Sequence, residues 1–333
     1  MSETTSTRIT DHAGLLASIP HMFGFVPEKS LVGVFIADNK VVVSMRMDLD
    51  LYQPDAVVER ALMAAYRSSA EDLILIAYGE SLDQQTANSV VSIGAQIELA
   101  EAAPGKRPVR LIDAIQVDLA GGQWRRIIDG WDAEVRPWQE VLDHPVNAAR
   151  IFEGSAVAPT RASLGEAFEP GSEAAPKGFG RGFKTTMQIM AEIEHPNGVA
   201  RTMAGLLDEL GDPEHKADGW QLGQLVALGT DLDVVEVCCA RLTRETAEHW
   251  FQLWSRAARV SSGSAAFLPL ITAGLAAWLM GDGSRMNVAG EMAEQIHPGH
   301  FLVKMTKGIC DNALPPAEWE GFRAQLTTWP EAS

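Results

Sequence analysis

A candidate binding site consists of polar residues in a turn near the start of the chain and in the strand expected after it. The turn contributes His21, Lys29 and Ser30, and the strand contributes Arg46 and Asp48. An imidazole, a hydroxyl, two cations and a carboxylate could hold a polar small molecule through charge-assisted hydrogen bonds. These residues form the predicted ligand site, and no catalytic residue is predicted, because their spacing assembles no nucleophile, base and orienting group. The alternative interpretation is a salt-bridged, half-exposed face of a sheet.

The densest positive cluster of this acidic chain consists of Lys177, Arg181 and Lys184. It lies in the segment GFGRGFKTT, which resembles a phosphate-binding loop only in part. Phe183 separates the last glycine from the lysine, and no strand is expected before the segment. We therefore interpret the segment as a flexible basic loop that could contact an anion or an acidic partner, including the protein's own acidic surface.

No metal site and no cofactor are predicted. His297 and His300, with Glu291 and Glu294 upstream, have the composition of a metal site. Zinc requires three or four converging ligands, however, and the Pro-Gly pair between the histidines breaks the helix that carries the glutamates. This segment is therefore predicted to be a structural turn between two helices.

The cysteine content indicates a reducing compartment. Only Cys238, Cys239 and Cys310 are present, and an odd, sparse set does not suit a disulfide framework. The adjacent pair Cys238-Cys239 has no neighbouring cation to lower the pKa of its thiols, so both residues are predicted to be small core residues. We expect a cytoplasmic protein.

Charge and hydropathy restrict the possible partners. The chain has 333 residues, with 27 basic and 44 acidic side chains and a formal net charge of −17. Such a surface repels phosphate backbones and anionic lipids, so neither nucleic acid nor a membrane is an expected partner. No apolar run approaches the roughly 20 residues of a membrane helix.

The first half of the chain has the pattern of a mixed α/β sheet that opens with a β-hairpin. Asp11 can cap a first helix, and Pro20 should make that helix kink or restart. Asp38-Asn39 is a predicted hairpin turn, because both residues tolerate a positive φ. The later elements are predicted as a helix at residues 54–69, a buried strand at 73–78, a helix at 82–103 and one or two strands within 106–119.

The second half is predicted to be all-helical. We expect an α/β domain at residues 1–150, a loop-rich connector at 151–196 and a helical domain at 197–333. The predicted helices of the last segment lie at residues 199–210, 220–228, 232–242, 244–260, 265–280, 284–296, 301–310 and 316–326.

Several strings of the sequence resemble one known family. They include IPHMFGFVPEKSLV, AVAPTRASL, HWFQLWSRAARV and WLMGDGSRMNVAGEMA, and they extend to ALPPAEW near the end. The chain is similar to the family catalogued as domain of unknown function 4192, found in actinobacteria and their phages. The resemblance implies no reaction and no cofactor. Many members carry adjacent cysteines after a Gly-Gly-x-Trp turn, but here that region has none, so any metal or redox role of those cysteines is not expected.

The leading functional hypothesis is a non-catalytic binding protein whose helical half presents an interaction surface to a protein partner or to a second copy. It rests on the absence of any catalytic signature and on the aromatic-rich helices. The alternative hypothesis is a small-molecule sensor or an enzyme, with its site at the strand ends of the α/β half, where such sheets commonly bind ligands.

Overall fold

The computed structural model describes residues 9–49, 54–101, 104–153, 156–170, 175–195 and 197–326. Two compact units make up the chain. The first comprises Met1–Thr160 with Asp311–Ala313, and the second comprises Arg161–Cys310 with Leu314–Ser333. The domain boundaries expected at residues 150 and 196 stay a prediction.

The first unit contains a six-stranded mixed sheet with the order β2-β1-β3-β4-β5-β6. Strands β3 and β4 are parallel, and every other neighbouring pair is antiparallel. The sheet confirms the predicted mixed α/β class. The strands are β1 (Ser30–Ala37), β2 (Lys40–Asp48), β3 (Asp72–Gly79), β4 (Arg110–Asp118), β5 (Gln123–Arg126) and β6 (Val135–Pro137). The helices are α1 (His12–Phe23), α2 (Pro54–Ser68), α3 (Gln84–Leu99), α4 (Gln139–Leu142) and α5 (Pro145–Phe152).

The opening hairpin forms because its turn residues accept an unusual backbone conformation. Asp38 and Asn39 have φ angles of 49° and 59°, which match the left-handed turn that suits the twist of two antiparallel strands. Strand β2 then pairs along the whole of β1. The predicted Asp38-Asn39 turn is therefore present.

Alternation along the strands gives the sheet two chemically different faces. On one face, Leu31, Phe35 and Leu75 pack in a core that also contains side chains of α2 and α3. We call this the α2/α3 face. On the opposite face, which we call the α1 face, Asp113 of β4 contacts His12 at the start of α1. Ser30, Arg46 and Asp48 also point to the α1 face, because each is adjacent in sequence to a residue of the α2/α3 core.

Helix α1 continues through its proline. Asp11 caps the helix by accepting a hydrogen bond from the amide of Gly14 at 2.7 Å, and Gly24 ends it with a φ of 76°. Pro20 lies inside the helix, so of the predicted kink or restart, the restart does not occur. A proline removes one backbone hydrogen bond, but Ile19 before it and Phe23 after it are buried and hold the helix on both sides.

The second unit is helical, and the periodicity predicted its helices beyond residue 197. Its α-helices are α6 (Phe179–Glu192), α7 (Gly198–Leu210), α8 (Gly219–Leu228), α9 (Val235–Arg241), α10 (Ala247–Val260), α11 (Phe267–Leu279), α12 (Gly283–Ile296), α13 (Phe301–Asp311) and α14 (Trp319–Leu326). Short 3-10 turns occur at Ala162–Ala167, Leu232–Val234, Gly263–Ala266 and Pro316–Glu318.

The prediction of a flexible basic loop at residues 178–186 was wrong, because this segment forms the first turns of α6. The glycines of this segment allow α6 to pack closely against α8. Gly182 of α6 lies against the backbone of Trp220, and a Cβ atom there would stand 2.3 Å from the Trp220 carbonyl oxygen. In return, a Cβ on Gly223 of α8 would stand 2.3 Å from the Phe179 carbonyl oxygen. The glycine-rich composition therefore permits two helices to touch backbone to backbone instead of making a loop.

Candidate functional site

The hairpin cluster, formed by Glu28, Ser30, Arg46 and Asp48, joins most of the residues predicted to bind a ligand. The Arg46 side chain donates from Nε to Ser30 Oγ at 2.7 Å, and one of its terminal nitrogens lies 3.0 Å from the Asp48 carboxylate. Ser30 Oγ in turn donates to the carbonyl oxygen of Glu28 at 2.5 Å. The guanidinium thus links the turn before β1 to the end of β2.

The side chains of Lys29 and His21 bind residues outside the hairpin cluster. Lys29 forms an ion pair with Glu80 at 2.5 Å, beyond the end of β3. This hydrogen bond raises the pKa of Lys29 and lowers that of Glu80, and both side chains are strongly exposed. His21 Nε2 lies 3.2 Å from Asn147 Oδ1, on α5. The predicted residues therefore occupy three separate sets of contacts.

The chemistry of the hairpin cluster suits structure or binding more than catalysis. Ser30 is fully buried and its hydroxyl proton is directed at a carbonyl oxygen, while its oxygen accepts from a cation. An activated serine needs an adjacent base to take its proton, and Arg46 cannot act as one. The cluster can therefore hold the turn and offer the exposed Asp48 carboxylate to a partner.

A second polar cluster, which sequence reasoning missed, joins the start of α1 to the sheet. Asp113 is 6% exposed, and its carboxylate lies 2.6 Å from His12 Nε2. Arg126 Nε donates to both oxygens of Asp113 at 3.0 Å, and the same guanidinium reaches the exposed Asp129 at 2.5 Å. The nearly buried Asp113 carboxylate thus orients His12 and compensates the charge of Arg126. The signal available in the sequence was Asp113 itself, a charged residue within the mostly apolar segment LIDAIQV.

The cap of α1 adds a second histidine–aspartate pair beside this cluster. His144 Nε2 lies 3.5 Å from the Asp11 carboxylate. The amide of Gly14 lowers the pKa of Asp11 by donating to its carboxylate, and His144 lowers the pKa further. The ionised form of Asp11 is therefore favoured in the folded protein.

Replacing Asp11 with alanine is expected to lower the free energy of unfolding by about 1 kcal/mol at neutral pH, because α1 loses its cap. The folded-state pKa is below the unfolded-state value, so this contribution is present above the unfolded pKa and disappears as the pH falls through the folded pKa. Urea unfolding of both proteins at neutral and acidic pH measures the difference. Asp11→Asn is the control, because asparagine keeps a hydrogen-bond acceptor but does not titrate. If the difference in unfolding free energy between the wild type and Asp11→Ala were as large in acid as at neutral pH, the account would be contradicted.

Two polar side-chain atoms on the α2/α3 face, one on β4 near its carboxyl end and one on β5, lack a hydrogen-bond partner among the described residues. Gln116 of β4 is fully buried, and its amide nitrogen donates to the carbonyl oxygens of Ser81 and Asp83. Arg125 of β5 is the register partner of Gln116. Among the described residues, neither Gln116 Oε1 nor Arg125 Nε has a hydrogen-bond partner. One acceptor and one donor on register-paired residues thus lack partners where the alternative hypothesis expects a ligand.

The basic cluster predicted from the sequence becomes the basic stripe of α6, formed by Lys177, which lies just before the helix, and by Arg181 and Lys184 within it. All three side chains are exposed, and within the described ranges none of them meets an acidic side chain. The Arg181 guanidinium lies 5.5 Å from the ring centre of Trp220 on α8. Gly178, the residue before α6, makes no side-chain cap, and the first turn contains no acidic residue. Positive side chains therefore add to the positive end of the helix dipole.

The two cysteines of α9 are expected to be unreactive. Cys238 and Cys239 are buried, and burial raises the pKa of Cys239 to about 12 and that of Cys238 well above its usual value. We expect a disulfide reagent such as Ellman's reagent to modify at most one thiol of the native protein, the half-buried Cys310, and all three after denaturation. Rapid modification of two or more thiols in the native protein would contradict the buried placement.

Two searches of the described part of the chain have negative results. No group of three or more His, Cys, Asp or Glu side chains there is placed to hold a metal ion. No helix there is long and apolar enough to cross a membrane.

Comparison with known proteins gives one match. A family model described as domain of unknown function (DUF4192) matches residues 13–317, nearly the whole chain. The search of curated proteins and the search of solved structures return no match.

Proposed function

This chain belongs to the DUF4192 family, and we propose that it is a non-catalytic binding protein that holds an acidic segment of a protein partner on the basic stripe of α6. The proposal treats the two compact units as separate domains and assigns the protein to the cytoplasm, where its free thiols remain reduced.

The observation that carries the proposal is the set of uncompensated cations on α6. Lys177, Arg181 and Lys184 are exposed at the positive end of a helix dipole, and no acidic side chain of the described residues pairs with them. The formal charge of the chain is −17, so acidic residues are abundant, yet none in the described part of the chain forms an ion pair with this stripe. Carboxylates of a partner are anions that such a stripe attracts.

The packing of α6 supports binding because it fixes the stripe in place. Gly182 and Gly223 bring α6 and α8 into backbone contact, and Arg181 lies over Trp220. Side chains held on a rigid helix lose less conformational entropy when a ligand binds than side chains on a mobile loop. Binding of an acidic segment therefore costs less conformational entropy on this helix than on the flexible loop that the composition suggested.

The test uses a fluorescent peptide of alternating glutamate and alanine residues, with binding followed by anisotropy. The variant Arg181→Gln/Lys184→Gln removes two charge contacts of about 0.2–1 kcal/mol each and should weaken binding roughly two- to thirtyfold. The control variant Lys304→Gln/Lys307→Gln changes the net charge equally on the exposed face of α13.

Four further outcomes decide the proposal. A peptide with glutamine in place of glutamate should not bind, and binding of the acidic peptide should weaken with salt. Equal losses in the two double variants would contradict the assignment to α6. Tighter binding of a single-stranded oligonucleotide than of the acidic peptide would assign the stripe to nucleic acid instead.

A second candidate function is recognition of a small molecule at the carboxyl ends of β3 and β4. The unpaired Gln116 Oε1 and Arg125 Nε favour it, because a ligand with one acceptor and one donor could satisfy both atoms. A thermal-shift screen of nucleotides and common metabolites tests it, since a ligand at about 100 times its Kd adds roughly 2.7 kcal/mol to stability. A shift should be lost in Gln116→Leu, and a flat screen would count against this candidate.

A further inference from the structure

Strand β2 forms one edge of the sheet, and its outer side is unpaired. In the order β2-β1-β3-β4-β5-β6, β2 has β1 on one side only. Over the described residues, no backbone group of Lys40–Asp48 is bonded on the side away from β1. Such an edge offers a row of donors and acceptors to another strand.

The two edges of the sheet differ in how they are protected. Strand β6, at the other edge, has three residues and contains Pro137, both of which discourage pairing. Strand β2 has nine residues without proline or glycine. It begins with Lys40, a residue type that protects edges, and it contains a bulge, because the register with β1 skips Val42 between Val41 and Val43. The part of β2 that follows the bulge remains regular and open.

The charge pattern of this open segment is complementary to itself. Arg46 and Asp48 lie two residues apart and project from the same face. In an antiparallel pair of two identical strands centred on Met47, Arg46 of each copy faces Asp48 of the other. Centring on Arg46 would place two guanidinium groups against each other, and like charges directly opposite are destabilising. Charge therefore selects the register centred on Met47.

We propose that the edge of β2 is the interface of a homodimer, in which β2 pairs antiparallel with β2 of a second copy about Met47. The Asp48 side chain is 84% exposed and holds one ion pair, with Arg46, so it can accept a further bond from Arg46 of the second copy. Met45 and Leu49, which pack partly against the α2/α3 core, face each other in the same register. This interface is independent of α6.

Sedimentation equilibrium of the full chain over a range of concentrations tests the dimer and the charge pairing. Asp48→Arg places a like charge opposite Arg46 at both symmetric positions and should weaken the dimer about tenfold or more. The swapped variant Arg46→Asp/Asp48→Arg should restore dimerisation, which a purely structural role of Asp48 would not produce. Glu134→Arg, an exposed residue beside the opposite edge of the sheet, makes the same charge change and should leave the dimer intact.

Hydrogen exchange of the unmodified protein provides the test that needs no variant. Dilution should increase the exchange rate of outward-pointing amides between Met45 and Leu49. A monomer at every concentration, or exchange that is independent of concentration, would overturn the proposal. A dimer that Asp48→Arg leaves unchanged would place the interface elsewhere.

Discussion

Replacing Gly223 with alanine should destabilise the protein by about 2 kcal/mol net, although the same change stabilises an ordinary helix. A Cβ at this position would stand 2.3 Å from the Phe179 carbonyl oxygen and 2.6 Å from the Phe183 nitrogen. These are backbone atoms, so α6 and α8 must move apart. Overpacking of this kind costs about 1–3 kcal/mol or more, whereas the gain in helix propensity is about 0.5–1 kcal/mol. The clash should therefore dominate.

The chain offers a matched control for this prediction. Gly205 also lies within a helix, α7, but a Cβ there would meet no atom within 4 Å. Gly205→Ala should stabilise the protein by about 0.5–1 kcal/mol through propensity alone. Chemical denaturation of both variants measures the two values. Stabilisation of similar size in both variants would show that α6 and α8 are not in backbone contact.

The second large effect is expected from Asp113→Ala, which should cost about 3 kcal/mol. Asp113 is nearly buried and accepts hydrogen bonds from Arg126, and it contacts His12 at 2.6 Å. Breaking a buried ion pair by removing one partner costs about 3–5 kcal/mol, and Arg126 is partly exposed, which places the expected cost at the lower end.

Asp129→Ala provides the comparison for Asp113, because both carboxylates bind the same guanidinium. The Asp129 side chain is 66% exposed, and surface ion pairs contribute about 0–1 kcal/mol, so this variant should remain close to the wild type. Denaturant titration of the two variants tests the difference. Equal losses of unfolding free energy in the two variants would show that the contact of Asp113 between α1 and the sheet contributes no more than a surface ion pair.

Local signals predicted the elements of the fold well. The Asp38-Asn39 pair gives the hairpin turn, the run LILIAY gives the central strand β3, and the 3.6-residue periodicity gives the helices from α7 onward. Alternation along β2 also placed Arg46 and Asp48 on one face, where they now lie 3.0 Å apart. Each of these features depends on residues that are close in sequence.

Features that depend on distant residues could not be predicted in the same way. His12 and Asp113 are 101 positions apart, and no sequence spacing relates them. The glycines of α6 look like loop residues until Gly223 and Trp220 of α8 are placed against them. His21 joined the predicted site by sequence proximity to Lys29, but its contact with Asn147 spans 126 positions. The role of the predicted ligand residues stays a prediction.

The measurement that tests the proposed binding most directly is zero-length crosslinking of the acidic peptide to the full chain. A carbodiimide joins peptide carboxylates to lysine amines that they already contact, and mass spectrometry identifies the lysines. Binding at the basic stripe of α6 predicts crosslinks at Lys177 and Lys184 in excess over the exposed Lys304 and Lys307. Crosslinks spread evenly over the four lysines, or concentrated on α13, would contradict it.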